Sequence, residues 1–321
     1  MKFFSKHIKA IFLVLIIVTL IAGLWYKNGN GKEYTRTEFL MNTQCTITAC
    51  GKNAKKAVDA AFDEIARIHS LTDFYTETSD VSKINSSVAD EEVLVDSATV
   101  HILGTALEIC QASEGAFDIT VAPLSFLWNF GSPDAKIPDE NAIVQAKTFV
   151  SYNNIKINTE NNTVTKTATE TKIDLGGAAK GYAADRASSI LKSYNITGAI
   201  IDLGGNISCI GTNPKSRDKE WRIGIQVPFS PTGDYGKIIN LKEGSVVTSG
   251  TYQRNFSVDG KLYHHILDPE TGYPAERDYN SVTIVSENSL LADCLSTACF
   301  VLGKEKGSTL VQKYGAEIYY Q

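Results

Sequence analysis

The stretch KIDLGGAAKGYAADRASSILKSYNITGAIIDLGGN, residues 172–206, runs from an apolar segment through glycines, into a helical pattern, and out to a second apolar run ending on glycines. Its spacing predicts a short strand over Lys172–Leu175, a helix over Lys180–Tyr194 and a strand over Gly198–Leu203 that stops at Gly204-Gly205. What lies on either side decides the kind of sheet these elements join.

On the C-terminal side, strand candidates follow one another: Trp221–Val227, Ile238–Leu241, Ser245–Thr248, Arg254–Val258 and Ser281–Val285. One apolar helix over Leu290–Leu302 follows, opened by Asn288 or Ser289 and closed by Gly303. On the N-terminal side, Phe39–Cys50 has strand composition. Ala54–Ser70 carries apolar residues at 58, 61, 62, 65 and 68, a helical period. Thr72–Ser87 is polar and predicts loop. Ser97–Gln111 predicts a helix and Asp139–Thr148 a short one. Ile155–Asn158 and Thr163–Thr167 predict a hairpin around Glu160-Asn161-Asn162. Helices interspersed with runs of consecutive strands favour an α+β fold, with mixed, largely antiparallel sheets and packed helices, over a doubly wound sheet.

The chain has 321 residues, a net charge of −5 and no Lys/Arg block after residue 36, so it has no nucleic-acid footprint. A polyanionic ligand here needs local donors and a metal. Lys2, Lys6 and Lys9 precede an apolar run, Ala10–Tyr26, of about 17 residues, the lower limit for a bilayer span. The expectation is an N-terminal membrane helix and linker over 1–36, with one domain over 37–321. That is a single-pass cell-membrane protein with its domain outside the cytoplasm; a cleaved export signal is the alternative. The six cysteines have no zinc spacing and read as small buried hydrophobes, although export would permit disulfides.

Three constellations carry candidate chemistry. The turn Asp174–Gly181 aims a helix N-terminus, with Lys180 beside it, where a phosphate could sit; a ligand-free turn is the plainer reading. Asp293 and Thr297 lie one turn apart on an apolar helix, with Ser296 next to Thr297. Oxygen donors of this kind suit Mg²⁺, which usually arrives with phosphates; a polar stripe is the alternative. His264-His265 precede the turn Asp268-Pro269-Glu270-Thr271-Gly272, where a histidine could orient a ligand or move a proton. Gly115–Thr120 and Thr248–Tyr252 are weaker signals of turn chemistry.

Taken together and in order, these segments resemble the ApbE family of FAD:protein FMN transferases. The resemblance runs through Met41-Asn42-Thr43, Leu71–Tyr75 and Asp80–Asn85. It continues in Gly115-Ala116-Phe117-Asp118, Val121–Leu124, Leu127–Gly131, Asp174–Ala183 and Asp202–Asn206. Thr248-Ser249-Gly250, His265–Pro269 and Ala292-Asp293 with Thr297 complete it. It covers about residues 38–305.

The resemblance implies an ApbE-like α+β unit that binds FAD, as substrate, in a cleft with Mg²⁺ at the pyrophosphate. Met41, Tyr75, Ala116, Phe117, Asp118, Asp174, Lys180, His265 and Leu267 match flavin-nucleotide positions. Asp293, Thr297 and the carbonyl of Gly177 match metal ligands, and Ser296 stands where other members can place an Asp. The implied reaction moves the FMN moiety of FAD to a Thr or Ser hydroxyl of a client flavoprotein and releases AMP. Asp293, Lys180 and His265 would be its catalytic groups. FAD hydrolysis and flavin binding without turnover are the alternatives. Asp96-Ser97-Ala98-Thr99 resembles the Ser-Gly-Ala-Thr end of client acceptor motifs, but Asp96 and Ser97 also suit a helix cap.

Overall fold

The computed structural model describes residues 33–231 and 233–321. Its frame is a seven-stranded sheet in the order β1-β2-β6-β7-β10-β13-β14, with every neighbouring pair antiparallel. These strands are β1 (Glu33–Leu40), β2 (Thr43–Cys50), β6 (Gly198–Leu203), β7 (Asn206–Gly211), β10 (Gly244–Gly250), β13 (Ser281–Ser286) and β14 (Glu317–Tyr320). Glu33–Arg36, expected as the end of a linker, already belong to β1.

Period-two alternation gives this sheet two apolar faces. On one, Ile47, Ala49, Ala199, Ile201, Val247, Val282 and Ile284 are buried against helices. These are α1 (Ala54–Thr72), α3 (Ser97–Ala112), α6 (Ala179–Ser193) and α7 (Ser289–Leu302). Phe62, Ile65 and Ile68 of α1 are almost wholly buried there. Each such side chain contributes about 1.5–3 kcal/mol. On the other face, Cys209 and Val246 pack under the ribbon of β8 (Trp221–Gln226) and β9 (Tyr235–Leu241) through Trp221, Ile223, Ile225 and Ile239.

A third cluster closes one end of the helix layer. It joins Leu124 and Trp128 of α4 (Ala122–Trp128), Ile143 and Ala146 of α5 (Glu140–Lys147), and Leu267. Phe256 and Tyr263 pack on it from the hairpin β11 (Asn255–Val258) and β12 (Lys261–His264). Trp128 Nε1 donates to the Gly272 carbonyl at 2.9 Å, tying the Asp268–Gly272 turn to this cluster. A three-stranded sheet, β3 (Val93–Leu94), β5 (Thr163–Lys166) and β4 (Ile155–Asn158), is separate from the main sheet but buries Ile155 and Val164 in the same core.

Two expectations fail locally. Thr72–Ser87 is not all loop: Asp80–Ser86 form helix α2, capped by Ser79, which accepts the Ser82 N–H at 2.9 Å. Lys172–Leu175 is not a strand. Its one β contact is an isolated bridge between Lys172 and Val121, and the Asn85 side-chain amide takes both the N–H (2.7 Å) and the carbonyl (3.0 Å) of Ile173. The last helix, α8 (Lys304–Lys313), follows α7 directly.

Among the described residues, no helix is long and apolar enough to cross a membrane. The expected anchor over Ala10–Tyr26 lies outside the described residues. All six cysteines are buried and free.

Candidate active site

Two tight hairpin turns meet at one end of the sheet. Met41 and Asn42, at φ 51° and 62°, join β1 to β2; Gly204 and Gly205, at 67° and 91°, join β6 to β7. Two consecutive left-handed residues make the type I′ turn that suits strand twist. Gly204 is required twice over, because a Cβ on it would also run into the Thr43 side chain.

The glycine turn before α6 is built from its own groups. Asp174 Oδ1 accepts the Gly176 N–H at 2.8 Å, and the Ala178 and Ala179 N–H groups donate to the Leu175 carbonyl at 3.0 and 2.8 Å. Lys180 Nζ donates to the Gly176 carbonyl at 3.0 Å. The N–H of Gly181 crosses to helix α7 and donates to Asp293 Oδ2 at 2.9 Å.

Asp293 is 4% exposed. Burial raises its carboxyl pKa, while Lys180 and the Gly181 N–H pull it back down. One backbone N–H is thin compensation for a buried carboxylate. Ser296 is fully buried and donates to the Asp293 carbonyl at 2.8 Å. Its Oγ also lies 2.8 Å from Ser249 Oγ, which is 3.2 Å from Thr297 Oγ1. Since Ser296 spends its proton on Asp293 O, the relay runs from Thr297 to Ser249 to Ser296. That leaves the Thr297 oxygen as an acceptor.

Gly177 sits beside this hydroxyl. A Cβ built on it would lie 3.5 Å from Thr297 Oγ1 and 3.0 Å from the Phe117 ring. Phe117 and Gly177 thus meet Ser249 of β10, Lys180 and Gly181 of α6, and Asp293 and Thr297 of α7. Among the described residues, no group of three or more His, Cys, Asp or Glu side chains could hold a metal. A cation here would rest on one carboxylate with hydroxyl and carbonyl oxygens, a donor set for a hard ion.

The two histidines part company. His264 is buried, donates from Nε2 to the Ala275 carbonyl at 3.2 Å, and accepts the Ile266 N–H at Nδ1 at 3.3 Å. Burial holds its pKa down to about 4. His265 is half-buried, with Nδ1 3.3 Å from the Arg254 carbonyl. A carbonyl only accepts, so Nδ1 carries the proton and Nε2 keeps its lone pair. Desolvation, then Arg254 and His264, hold its pKa down to about 3; Lys180 adds to the effect, which puts His265 within electrostatic reach of the glycine turn.

Of the other expected residues, Asp118 spends its carboxylate within the fold. Oδ1 accepts from the Thr120 N–H and hydroxyl at 2.8 and 2.6 Å, and Oδ2 accepts the Tyr152 N–H at 2.9 Å. Burial raises its pKa. Ala116 is half-buried beside it, and Leu267 is buried in the third cluster. Tyr75 is 77% exposed, with its ring edge-on to Phe74, and Met41 forms the β1–β2 turn. Sequence reasoning missed Ser249 as a site residue, although it sits inside the Thr248–Tyr252 segment. It also missed Asp185, whose two oxygens accept the Ser289 and Leu290 N–H groups at 2.9 Å each and cap α7. Thr99 is fully buried and donates to Asp80 Oδ2, so Asp96–Thr99 is a capped helix start and no accessible acceptor.

A helix N-terminus, a lysine and a buried carboxylate held by one backbone N–H, one helical turn from Thr297, suit phosphate-ester chemistry. The comparisons narrow that class. The family model described as "ApbE family" matches residues 41–320, and the chain belongs to that family. It is 31% identical over 316 residues to the FAD:protein FMN transferase of Treponema pallidum, covering 93% of this chain and 87% of that one. The Klebsiella pneumoniae enzyme of the same name is 32% identical over 252 residues, covering 78% and 77%. Among solved structures, the ApbE protein of Thermotoga maritima superposes with a TM-score of 0.81 at 36% identity, covering 90% and 94%. The flavin transferase ApbE of Vibrio cholerae gives 0.79 at 26%, covering 90% and 93%.

Proposed function

We propose that this transferase moves the FMN moiety of FAD onto a Thr or Ser hydroxyl of a client flavoprotein and releases AMP. The observation that carries the reading is the pairing of buried Asp293, bound on one oxygen by Gly181, with the free acceptor of Thr297 beside Gly177. Simple flavin storage needs no such pair. The donor set fits Mg²⁺, which the second Asp293 oxygen, the Thr297 hydroxyl and the Gly177 carbonyl would hold. Bound there, Mg²⁺ supplies charge neutralisation for the pyrophosphate. Ser296, already bonded on both sides, supports Thr297 through Ser249 and is not on the ligand set.

The chain's own groups do the rest. Lys180 and the α6 N-terminus offset the negative charge of the phosphates. His265 Nε2 takes the proton of the acceptor hydroxyl as its oxygen bonds to the FMN phosphorus. The P–O bond to the AMP phosphate breaks, and the electron pair leaves on AMP. Phe117 walls the glycine turn against water, and Tyr75 offers an aromatic face free to meet the flavin.

The test is incubation with FAD, Mg²⁺ and a client flavoprotein, followed by in-gel flavin fluorescence and an AMP assay. Covalent fluorescence with AMP supports transfer. AMP without labelled protein would mean hydrolysis, and neither product would mean a binder. We also propose that the N-terminal run Ala10–Tyr26 tethers the domain to the outer face of the cell membrane. Mass spectrometry of the mature N-terminus tests it, and a start beyond Tyr26 would overturn the tether.

A further inference from the structure

We propose that the client's acceptor segment docks as an added antiparallel strand on the open edge of β10 at Thr248–Gly250, with the reacting Thr or Ser opposite Ser249. This rests on the transfer reading above.

The hydrogen-bond phase of β10 fixes which groups face that edge. The Thr251 N–H donates to the Asn280 carbonyl at 2.9 Å, on the β13 side. By alternation, Ser249 and Val247 also direct their backbone groups to β13, while Thr248 and Gly250 direct theirs to the opposite edge. The next strand agrees: Ser281 exchanges both of its bonds with Gln321, at 3.0 and 3.1 Å, away from β10. On the opposite edge β7 pairs only with Gly244, Ser245 and Val246. It ends at Asn206, and the chain turns away through Gly204-Gly205. Among the described residues, the Thr248 and Gly250 N–H and C=O groups have no backbone partner on that side.

The β6–β7 turn does not bond to this edge. Were the β7 register to continue, Gly205 would lie opposite Thr248, but no backbone bond joins the two. Gly204 and Gly205 are exposed, and a Cβ built on Gly205 would meet nothing within 4 Å, so the turn presents no side chain against an incoming segment.

The face assignment gives the register its chemical sense. Directly opposed residues on neighbouring strands share a face, with Cβ atoms about 4.5–5.5 Å apart. Ser249 points to the helix side, where its hydroxyl meets Ser296 and Thr297. A client Thr or Ser opposite Ser249 therefore presents its hydroxyl on the Thr297–Asp293 side. Its two neighbours project to the other face. There the Tyr252 ring covers Gly250, and Phe229, 57% exposed, lies edge-on to it at 6.1 Å. Main-chain bonding of this kind gives affinity, and the alternating side chains give selectivity.

The antiparallel register makes a positional prediction. The residues before and after the acceptor exchange bonds with Gly250 and Thr248, and the acceptor's own N–H points away. In synthetic peptides centred on Ser-Gly-Ala-Thr, N-methylation of either neighbour should cut labelling roughly tenfold or more, and N-methylation of the acceptor itself should change it less than about twofold. Sensitivity at the acceptor nitrogen, or no alternation, overturns the proposal. Hydrogen exchange gives a second measurement that needs no turnover. A client flavoprotein should slow the Thr248 and Gly250 amides, and FAD alone should not. Protection by FAD alone, or none by client, overturns the docking. If no peptide is labelled while AMP is released, transfer itself fails, and the exchange measurement still decides the edge.

Discussion

Asp293 Oδ2 accepts the backbone N–H of Gly181 at 2.9 Å, joining the third residue of helix α6 to the middle of helix α7. That N–H is one of the donors a helix start leaves unpaired. The debt is returned in the other direction, because Asp185 of α6 caps the first two N–H groups of α7. The two helices are therefore held by reciprocal carboxylate caps, and the proposed metal ligand is also part of the scaffold.

Replacing Asp293 by Asn separates these two roles. The amide oxygen can still accept from Gly181, but the charge is gone. Transfer should fall on the order of 100-fold or more, because metal charge stabilisation is worth several kcal/mol. Stability in EDTA should rise or stay level. Burial raises the folded carboxyl pKa, so ionising Asp293 costs stability above that pKa and nothing below the unfolded one. The advantage of Asn should thus be present at neutral pH and vanish as pH falls into the carboxylate range. Urea unfolding in EDTA at several pH values measures it. Undiminished Mg²⁺-dependent transfer by the variant would remove Asp293 from the ligand set.

The histidine pair separates catalysis from stability. With its pKa held down to about 3, His265 stays neutral through the working range, so kcat/KM should show no protonation limb near pH 6.5. His265→Ala should lower transfer about tenfold, a modest effect because an imidazole held down to about 3 is a weak base, with little change in unfolding. His264 stabilises the fold when neutral. Its folded pKa of about 4 lies below the ordinary 6.5, so its contribution is full above pH 6.5 and is lost as pH falls toward 4. That loss is about 3 kcal/mol. His264→Gln should show a smaller acid loss in denaturant midpoint between pH 7 and 4.5. Equal losses would dismiss the burial argument.

These roles show where the sequence was legible. Long elements with a full apolar period were readable: α1 carries Val58, Ala61, Phe62, Ile65 and Ile68 on one face, and β6 is an apolar run bounded by glycine. Short or side-chain-satisfied segments were not. The seven-residue helix α2 holds only two buried apolar residues, and buried Asp80 anchors it by taking the Asp96 N–H at 2.7 Å and the Thr99 hydroxyl at 2.8 Å. Lys172–Leu175 has strand composition, yet Asn85, 88 positions away, replaces the strand partner. At the site, the glycine turn and the Asp293–Thr297 pair could be seen as fragments. Their junction could not, because no linear spacing encodes an N–H of one helix meeting a carboxylate of another.

The thiols give a simple check on the packing. All six are buried and free, and burial pushes Cys45 up to about 11 and Cys209 and Cys299 to about 12. A neutral, enclosed thiol is a poor nucleophile. A thiol reagent such as DTNB should therefore react with none of them in the folded protein and with all six after unfolding. Reductant should leave the melting temperature unchanged. Rapid reaction of even one thiol in the native state would mean that its element opens to solvent.

Gly177 and Gly181 lie four residues apart and should respond oppositely to a methyl group. At Gly181 a Cβ would overlap the Ser289 carbonyl and come within 2.6 Å of Leu290 Cα. Backbone of this kind cannot move without parting α6 from α7, so Gly181→Ala should cost about 2–3 kcal/mol and displace Asp293 from its donor. Transfer should then fall further than the stability loss alone explains, measured on protein that is still fully folded at low temperature. At Gly177 the new Cβ would meet the Phe117 ring at 3.0 Å and Thr297 Oγ1 at 3.5 Å. A ring can yield by a few tenths of an ångström, and the carbonyl proposed as a ligand does not depend on a side chain. Gly177→Ala should therefore keep transfer within about threefold and lose less than about 1.5 kcal/mol. If Gly177→Ala proved as damaging as Gly181→Ala, the Phe117 wall would be rigid, and the space beside Thr297 would be set by that ring.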